Sequence, residues 1–414
     1  MTTFKRRIVE LTEYQTRTFD EEELTEAVGK ELHASYGKQV SVEPPSFLNN
    51  QSWQLTSQGW VGYIPLTDSF HLSLVPKVPI ANLFRMLEYA YRLDFRILEG
   101  LANSESIAEL YERLALVLAK RILDRIRRGL YRSYVSESDD LPYVRGRVDV
   151  TAHLRNSQRV ALPCSFEEHT ADLEDNQILL WTLTRILESG MCTEHSLPHI
   201  RQARRALLGF SELRPFSARV CADRLYNRLN QDYEPLHALC RFFLEHTGPT
   251  HLLGDRKMLP FLVNMNLLFE QFVVEWLRQH APSRYVVRGQ ENVQFRMGHV
   301  VEIYIDITVE DLETGRTAFV MDTKYKAVKH PAASDLEQVV AYAEAKDCTN
   351  ASLVYPVELE LPVSGMWGED IFVRSLAFPL GGDLEEAGRN LLTARVAECN
   401  WSIDTLIALK VWHG

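Results

Sequence analysis

Two stretches in the last third of the chain alternate apolar and polar residues with period two on either side of a short polar turn. That pattern leaves little freedom in how they fold. In 301–309, Val301, Ile303, Ile305, Ile307 and Val309 share one face, with Glu302, Tyr304, Asp306 and Thr308 on the other. In 319–325, Phe319, Met321, Thr323 and Tyr325 oppose Val320, Asp322 and Lys324. The segment between them, DLETGR at 311–316, has turn composition. Pairing through it predicts a hairpin with Asp306 beside Asp322, and with Asp322 and Lys324 on one face about 6.6 Å apart. Two carboxylates and a lysine make an oxygen-donor site for a hard cation, with a cationic partner for a charged substrate.

The flanks extend the pattern. A helix is predicted over 258–280, where Asn264, Gln271, Glu275 and Arg278 form a polar stripe. Glu270 falls about 120° from that stripe at 100° per residue, in the apolar sector. A carboxylate there is costly to bury without a partner, and coordination or a contact with Lys324 would explain it. After the hairpin, DLEQVVAYAEAK predicts a helix bearing Gln338 and Tyr342, and ASLVYPV a strand. Helix, strand, strand, helix, strand is an α/β unit, assigned to 257–414.

Residues 1–97 predict a strand-rich domain, with QVSVEP, SWQLTS, WVGYIPL and FHLSLVPKV as strands and a helix capped by Asn82. The middle region, 98–256, is predicted mostly helical. It opens with a long helix over 106–135 that Ser104 would cap, and VRGRVDV to LTRIL reads as strands followed by a helix. The fold class is therefore multidomain, α+β with a C-terminal α/β core.

Charge bears on function. The formal net charge is −11, which argues against a nucleic-acid coat protein but not against an enzyme that touches DNA locally. Basic residues concentrate in 120–132 and 201–228, where Arg125, Arg128, Arg204 and Arg205 are candidate phosphate contacts on helices with one apolar face. Lys326, on the face of Lys324, is another candidate. No run of about 18 apolar residues predicts a membrane span, and the basic start lacks the apolar stretch of a signal peptide. The six cysteines show no CxxC spacing, so a reducing cytoplasm is expected. Without G-x-x-x-x-G-K-[ST], the chain is not expected to bind a nucleotide itself. His169, among Glu167, Glu168, Asp172, Glu174 and Asp175, reads as part of a structural or solvated cluster, and His330 as incidental.

Glu270, Asp306 and Asp322-Thr323-Lys324 together resemble the PD-(D/E)xK nuclease core. NMNLLFEQFV, IDITVE, MDTKYKA and DLEQVVAY, with LVPKVPIANLFRMLEYA, VRGRVDV and CSFEEHTADLEDNQILL upstream, resemble the McrC family over roughly residues 40–385. The resemblance implies a restriction-endonuclease-like core that cuts double-stranded DNA with Mg²⁺, or Mn²⁺ as substitute. It also implies an N-terminal part that docks on a McrB-like AAA+ GTPase hexamer and stimulates it. By position, Asp306 and Asp322 would be metal carboxylates, Lys324 the catalytic lysine and Glu270 the helix glutamate. Gln338 and Tyr342 would support the site. The proline usual before the first aspartate is Ile305 here, a difference in backbone shape rather than in ligands. A RecB-like repair exonuclease and a non-catalytic activator scaffold are the alternatives.

Overall fold

Strands come first where β-branched and aromatic residues alternate with polar ones: β1 (Arg7–Thr12) and β2 (Thr16–Phe19), then, after helix α1 (Glu26–Tyr36), β3 (Val40–Glu43), β4 (Trp53–Ser57), β5 (Trp60–Pro65) and β6 (Phe70–Val75). Helix α2 spans Ile80–Ala90. Two sheets result. One contains β2-β4-β3, and the other begins β1-β6-β5, with β1 and β6 parallel. Val9, Leu11, Phe19, Leu32, Trp53, Leu55, Leu72 and Leu74 pack in their common core. Gly29 lets α1 approach closely, since a Cβ there would lie 2.6 Å from the Trp53 ring. The structure, a computed structural model, describes residues 7–21, 23–67, 70–93, 106–155, 160–222, 224–247, 251–253, 256–258, 260–296 and 300–396.

By contacts, the described parts of 1–107 and 262–414 form one compact unit, and those of 108–261 form another. The second unit holds α3 (Ile107–Arg128, from the boundary residue onward), β7 (Ser133–Leu141), β8 (Arg147–Val148), α4 (Val150–Arg155), β9 (Leu162–Thr170), α5 (Glu174–Ser189), α6 (Leu197–Leu208) and α7 (Glu234–His246). A hairpin of β10 (His251–Leu253) and β11 (Arg256–Met258) follows. Its three-stranded sheet runs β7-β9-β8. Tyr111 is buried with its ring 5.1 Å from Phe243 and 4.8 Å from Phe261.

The first unit is completed by β12 (Phe261–Asn264), which joins the edge of β5, and by α8 (Met265–His280). Strands β13 (Tyr285–Arg296), β14 (Val300–Asp311) and β15 (Arg316–Thr323) come next, then α9 (Ala333–Ala345) and β16 (Asn350–Tyr355). The last elements are β17 (Ser364–Trp367), β18 (Ile371–Ala377) and α10 (Leu384–Val396). The sheet order is β13-β14-β15-β16-β18-β17. Pairing is antiparallel across β13-β14-β15 and parallel from β15 to β16 and on to β18. The parallel step from β15 to β16 requires a crossover, and α9 supplies it. Val320, Val339, Ala343, Leu353, Tyr355 and Val373 pack between that helix and the sheet.

Three local expectations need correction. The helix predicted from 258 starts at Met265: Phe261–Asn264 pairs as a strand, and Asn264 caps the helix through its Oδ1, which accepts from Asn266 N at 3.0 Å. Asn82 lies inside α2 and donates to the carbonyls of Leu380 and Gly382, both at 2.8 Å, so Pro79 holds the cap position. The helix predicted over 106–135 stops at Arg128, where Gly129 adopts φ 96°, and Ser133 begins a strand. Ser104, its expected cap, lies outside the described residues.

Candidate active site

The predicted hairpin forms, with Ile307 opposite Met321 and Thr308 opposite Val320 and a register shift at Val309/Glu310. Continuing that register sets Asp306 across from Asp322. The turn closes through Asp311, whose Oδ1 accepts from Glu313 N at 3.0 Å, and through Gly315 at φ 65°. Asp306 is partly buried, and its Oδ2 accepts from Thr323 N at 2.9 Å and Thr323 Oγ1 at 3.0 Å. The middle residue of the Asp-Thr-Lys run thus ties the two carboxylate-bearing strands together.

Asp322 is 1% exposed. Its Oδ2 meets Lys324 Nζ at 2.6 Å, and its buried Oδ1 has no hydrogen-bond partner among the described residues. Lys324 Nζ also donates to Gln338 Oε1 at 2.9 Å, and Gln338 Nε2 donates to Tyr342 Oη at 2.6 Å. Gln338 and Tyr342 sit one turn apart on α9, so that helix orients the lysine from the opposite side.

Glu270 is buried on α8 as its helical phase predicted, and it accepts a hydrogen bond from the Gln290 amide. Burial, then the nearby Asp306 and Asp322 charges, push its carboxyl up to about 7, against the pull of Gln290. Burial and the Asp306 charge push Asp322 up to about 7 as well, with Lys324 opposing. Burial raises Asp306, and the Thr323 donors and Lys324 counter it. Three carboxylates therefore share a desolvated space in which Lys324 is the ion-paired cation, and each disfavours charge on the others. A divalent cation would relieve that conflict.

The donor set fits a hard cation. The unpartnered Asp322 Oδ1 and the Asp306 carboxylate held by Thr323 are oxygen donors of the kind a hard cation takes. Among the described residues no group of three or more His, Cys, Asp or Glu side chains is arranged to hold a metal ion by itself.

Gln290 has no counterpart in the sequence reading. Gly289 pairs with Ile307 and Glu291 with Ile305, which brackets Gln290 opposite Asp306, and its φ is 54°. Left-handed backbone in a strand is uncommon for a side chain of this kind and marks functional sites. The available signal was the Gly-Gln pair interrupting an otherwise regular strand pattern.

The other candidate contacts are placed as follows. Lys326 pairs with Asp335 at 2.6 Å. In the second unit, Arg125 pairs with Asp232 at 3.1 Å and lies over the Tyr233 ring, and Arg204 donates to Thr184 Oγ1 at 2.9 Å. Arg128 and Arg205 are exposed. The His169 ring lies 4.9 Å from that of Tyr134, tilted by 35°, and the acidic residues around it disperse into local bonds, such as Asp175 with Arg224 at 2.9 Å. His330 Nδ1 lies 3.0 Å from the Pro331 carbonyl. Cys164, Cys192, Cys221, Cys240 and Cys348 are buried and free, and Cys399 lies outside the described residues. No helix among the described residues is long and apolar enough to cross a membrane.

The structure is thus a mixed α/β protein whose central feature is a buried cluster of carboxylates answered by one lysine. A family model described as McrBC 5-methylcytosine restriction system component matches residues 55–356. The type IV methyl-directed restriction enzyme EcoKMcrBC of Escherichia coli strain K12 is 25% identical over 229 residues, 52% of this chain and 63% of that relative. The chain therefore aligns with less than two thirds of that relative's length. A chain in the tetradecameric assembly of Thermococcus gammatolerans McrB AAA+ hexamers with bound McrC shares the fold at TM-score 0.57 and 17% identity, covering 94% of this chain and all of that one. The chain belongs to the McrBC 5-methylcytosine restriction system component family.

Proposed function

We propose that this chain is the Mg²⁺-dependent DNA endonuclease subunit of a McrBC-like restriction complex, built on a PD-(D/E)xK core and acting with a McrB-like AAA+ GTPase hexamer that its N-terminal part stimulates. The observation that carries the reading is Asp322, fully buried, with one oxygen on Lys324 and the other unpartnered, beside Asp306 and Glu270. A buried carboxylate left in that state is costly for a fold to keep unless a ligand completes it. The family assignment and the AAA+ assembly of the structural relative support the same reading.

Asp306 and Asp322 would hold the ion, and Thr323 fixes the Asp306 carboxylate in place through two donors. When bound, Mg²⁺ supplies positive charge that polarises a phosphodiester. Lys324 adds a fixed cation against charge that gathers on the phosphoryl oxygens, held in position by Gln338 and, through it, Tyr342. Glu270, pushed to about 7, exchanges a proton near neutral pH in the ion's absence. Arg128 and Arg205 are proposed to meet DNA phosphates, whereas Arg125, Arg204 and Lys326 already serve internal partners.

The test is cleavage of DNA by Asp306→Ala, Asp322→Ala and Lys324→Ala chains in the complete complex, with Mg²⁺ and then Mn²⁺. Each substitution is expected to abolish cleavage while leaving stimulation of the partner's GTP hydrolysis in place. Cleavage that survives all three refutes the assignment. Stimulation without cleavage by the wild type would favour the activator scaffold, and metal-dependent trimming of DNA ends without a partner would favour the exonuclease.

A further inference from the structure

Strand β15 ends at Thr323, yet the backbone stays held beyond it: Lys324 N donates to Val354 O at 2.8 Å. Lys326 N then donates to Lys324 O at 2.8 Å, an i to i+2 bond that turns the chain tightly around Tyr325. Lys324 therefore sits at the start of a three-residue turn whose central side chain is Tyr325.

That side chain is buried, 7% exposed, with its ring 5.9 Å from Phe269, the neighbour of Glu270 on α8. Its Oη donates to Glu13 Oε2 at 3.0 Å, across 312 residues of sequence. Glu13 follows β1 directly and is 0% exposed. Its backbone donates to Val75 O at 3.1 Å, and it bridges Ser57, so it is fixed in the N-terminal sheets. Its Oε2 also accepts from Lys77 N at 3.0 Å, while the buried Oε1 has no hydrogen-bond partner among the described residues.

A glutamate is a costly residue with which to fill an apolar position. Packing alone would be served by an apolar residue of similar volume. A carboxylate whose single engaged oxygen receives a tyrosine hydroxyl serves a directional purpose instead.

We propose that Tyr325, anchored by Glu13 of the N-terminal sheets, is a positioning residue that sets the place of Lys324 in the site. The inference rests on the nuclease reading for its catalytic consequence and on geometry alone for its structural one. The strand-rich N-terminal part is then a component of the cutting centre as well as a docking module. A displacement of that part on its partner would be felt at the lysine through a single hydrogen bond.

The experiment reads Lys324 directly. Full-length chains carrying Tyr325→Phe, Glu13→Leu or Glu13→Gln are treated briefly with an amine-acylating ester, and labelling of Lys324 is measured by mass spectrometry. Exposed Lys329 is the internal control. Tyr325→Phe removes only the hydroxyl, whereas Glu13→Leu removes the carboxylate that accepts from both Tyr325 Oη and Lys77 N. Both are expected to change the Lys324 labelling rate about fivefold, the equivalent of one lost hydrogen bond, with Lys329 unchanged. Glu13→Gln keeps an amide oxygen for both donors and should label as the wild type does. Unaltered Lys324 labelling in Tyr325→Phe overturns the proposal, as does a Glu13→Gln chain that behaves like Glu13→Leu.

DNA cleavage by the same chains in complex with the AAA+ partner is the second readout. A rate about tenfold lower in Tyr325→Phe and Glu13→Leu is expected, with half-saturation by Mg²⁺ and GTPase stimulation unchanged. A purely structural role would instead lower the melting temperature and GTPase stimulation together, and that result counts against positioning. A wild type that fails to cut DNA while Lys324 labelling still responds would sink the nuclease reading and leave the positioning role standing.

Discussion

Lys324 Nζ and Asp322 Oδ2 lie 2.6 Å apart, the lysine side chain 17% exposed and the aspartate 1%. Truncating the lysine strands a buried carboxylate. Losing one partner of a buried pair costs about 3–5 kcal/mol when the remaining charge cannot escape. Asp322 can escape by taking up a proton, because its carboxyl already sits near 7. A carboxyl raised in the folded state stabilises most fully below its unfolded value and loses that contribution as pH rises through its folded one. Metal-free Lys324→Ala is therefore expected to lose about 2 kcal/mol at pH 8 and less at pH 6, read as a denaturant midpoint. Adding Asp322→Asn should restore most of the loss without restoring cleavage. A double variant no more stable than the single one would show that the carboxylate is not the source of the penalty.

Binding of a cation that completes Asp306 and Asp322 must stabilise the folded chain by mass action. At a hundredfold excess over Kd the expected gain is about 2.7 kcal/mol. A thermal shift on adding Mg²⁺, reversed by a chelator, checks it. Asp306→Asn keeps an acceptor for the two Thr323 donors and removes the charge, so it should fold and show no such shift. An equal shift in that variant would locate the ion elsewhere.

Gln290 combines a left-handed backbone with the hydrogen bond to Glu270, and the two roles separate by substitution. Gln290→Ala and Gln290→Gly both remove the donor that lowers the Glu270 pKa, so both should reduce cleavage to the same degree. Glycine relieves the backbone, and Gln290→Gly should be more stable than Gln290→Ala by about 1 kcal/mol. Differing activities at matched stability would assign Gln290 a role beyond that hydrogen bond.

His237, in the second unit, is fully buried between Tyr226 Oη at 2.9 Å and the Asp175 carbonyl at 3.0 Å. Burial, then the Arg224 charge, hold its imidazole below the ordinary value of 6.5, with the Asp175 carbonyl opposing. The unfolded chain takes up a proton that the folded one resists, so its contribution is present above pH 6.5 and declines as pH falls below it. The wild-type melting temperature should fall more steeply from pH 7 to 5 than that of His237→Gln. Parallel curves would remove His237 from the acid response.

Period two and a polar turn made the Asp306–Asp322 pairing readable, since a one-residue slip would send every apolar residue of the hairpin to the wrong face. Helical phase did the same for Glu270. Boundaries were harder. Nothing local separates the strand Phe261–Asn264 from the helix that follows, because an apolar run serves either state and the edge of β5 decides. Contacts such as Tyr325 with Glu13, Asn82 with Leu380 and Arg92 with Glu275 at 2.9 Å join residues about two to three hundred positions apart and leave no periodic trace. Gln290 was missed for another reason: its importance lies in a backbone angle, which a side-chain pattern does not record.

The sheet that begins β1-β6-β5 ends with β12, on the far side of the segment 108–261. During synthesis, at roughly 5–20 residues per second, the ribosome spends some ten to thirty seconds on that segment before the closing strand emerges. For that interval β5 presents an open edge and the nascent N-terminal core lacks Leu262. The order of the gene thus makes the second unit the first that can finish folding. The unit bearing the candidate site can close only after β12 and the strands that follow it have emerged.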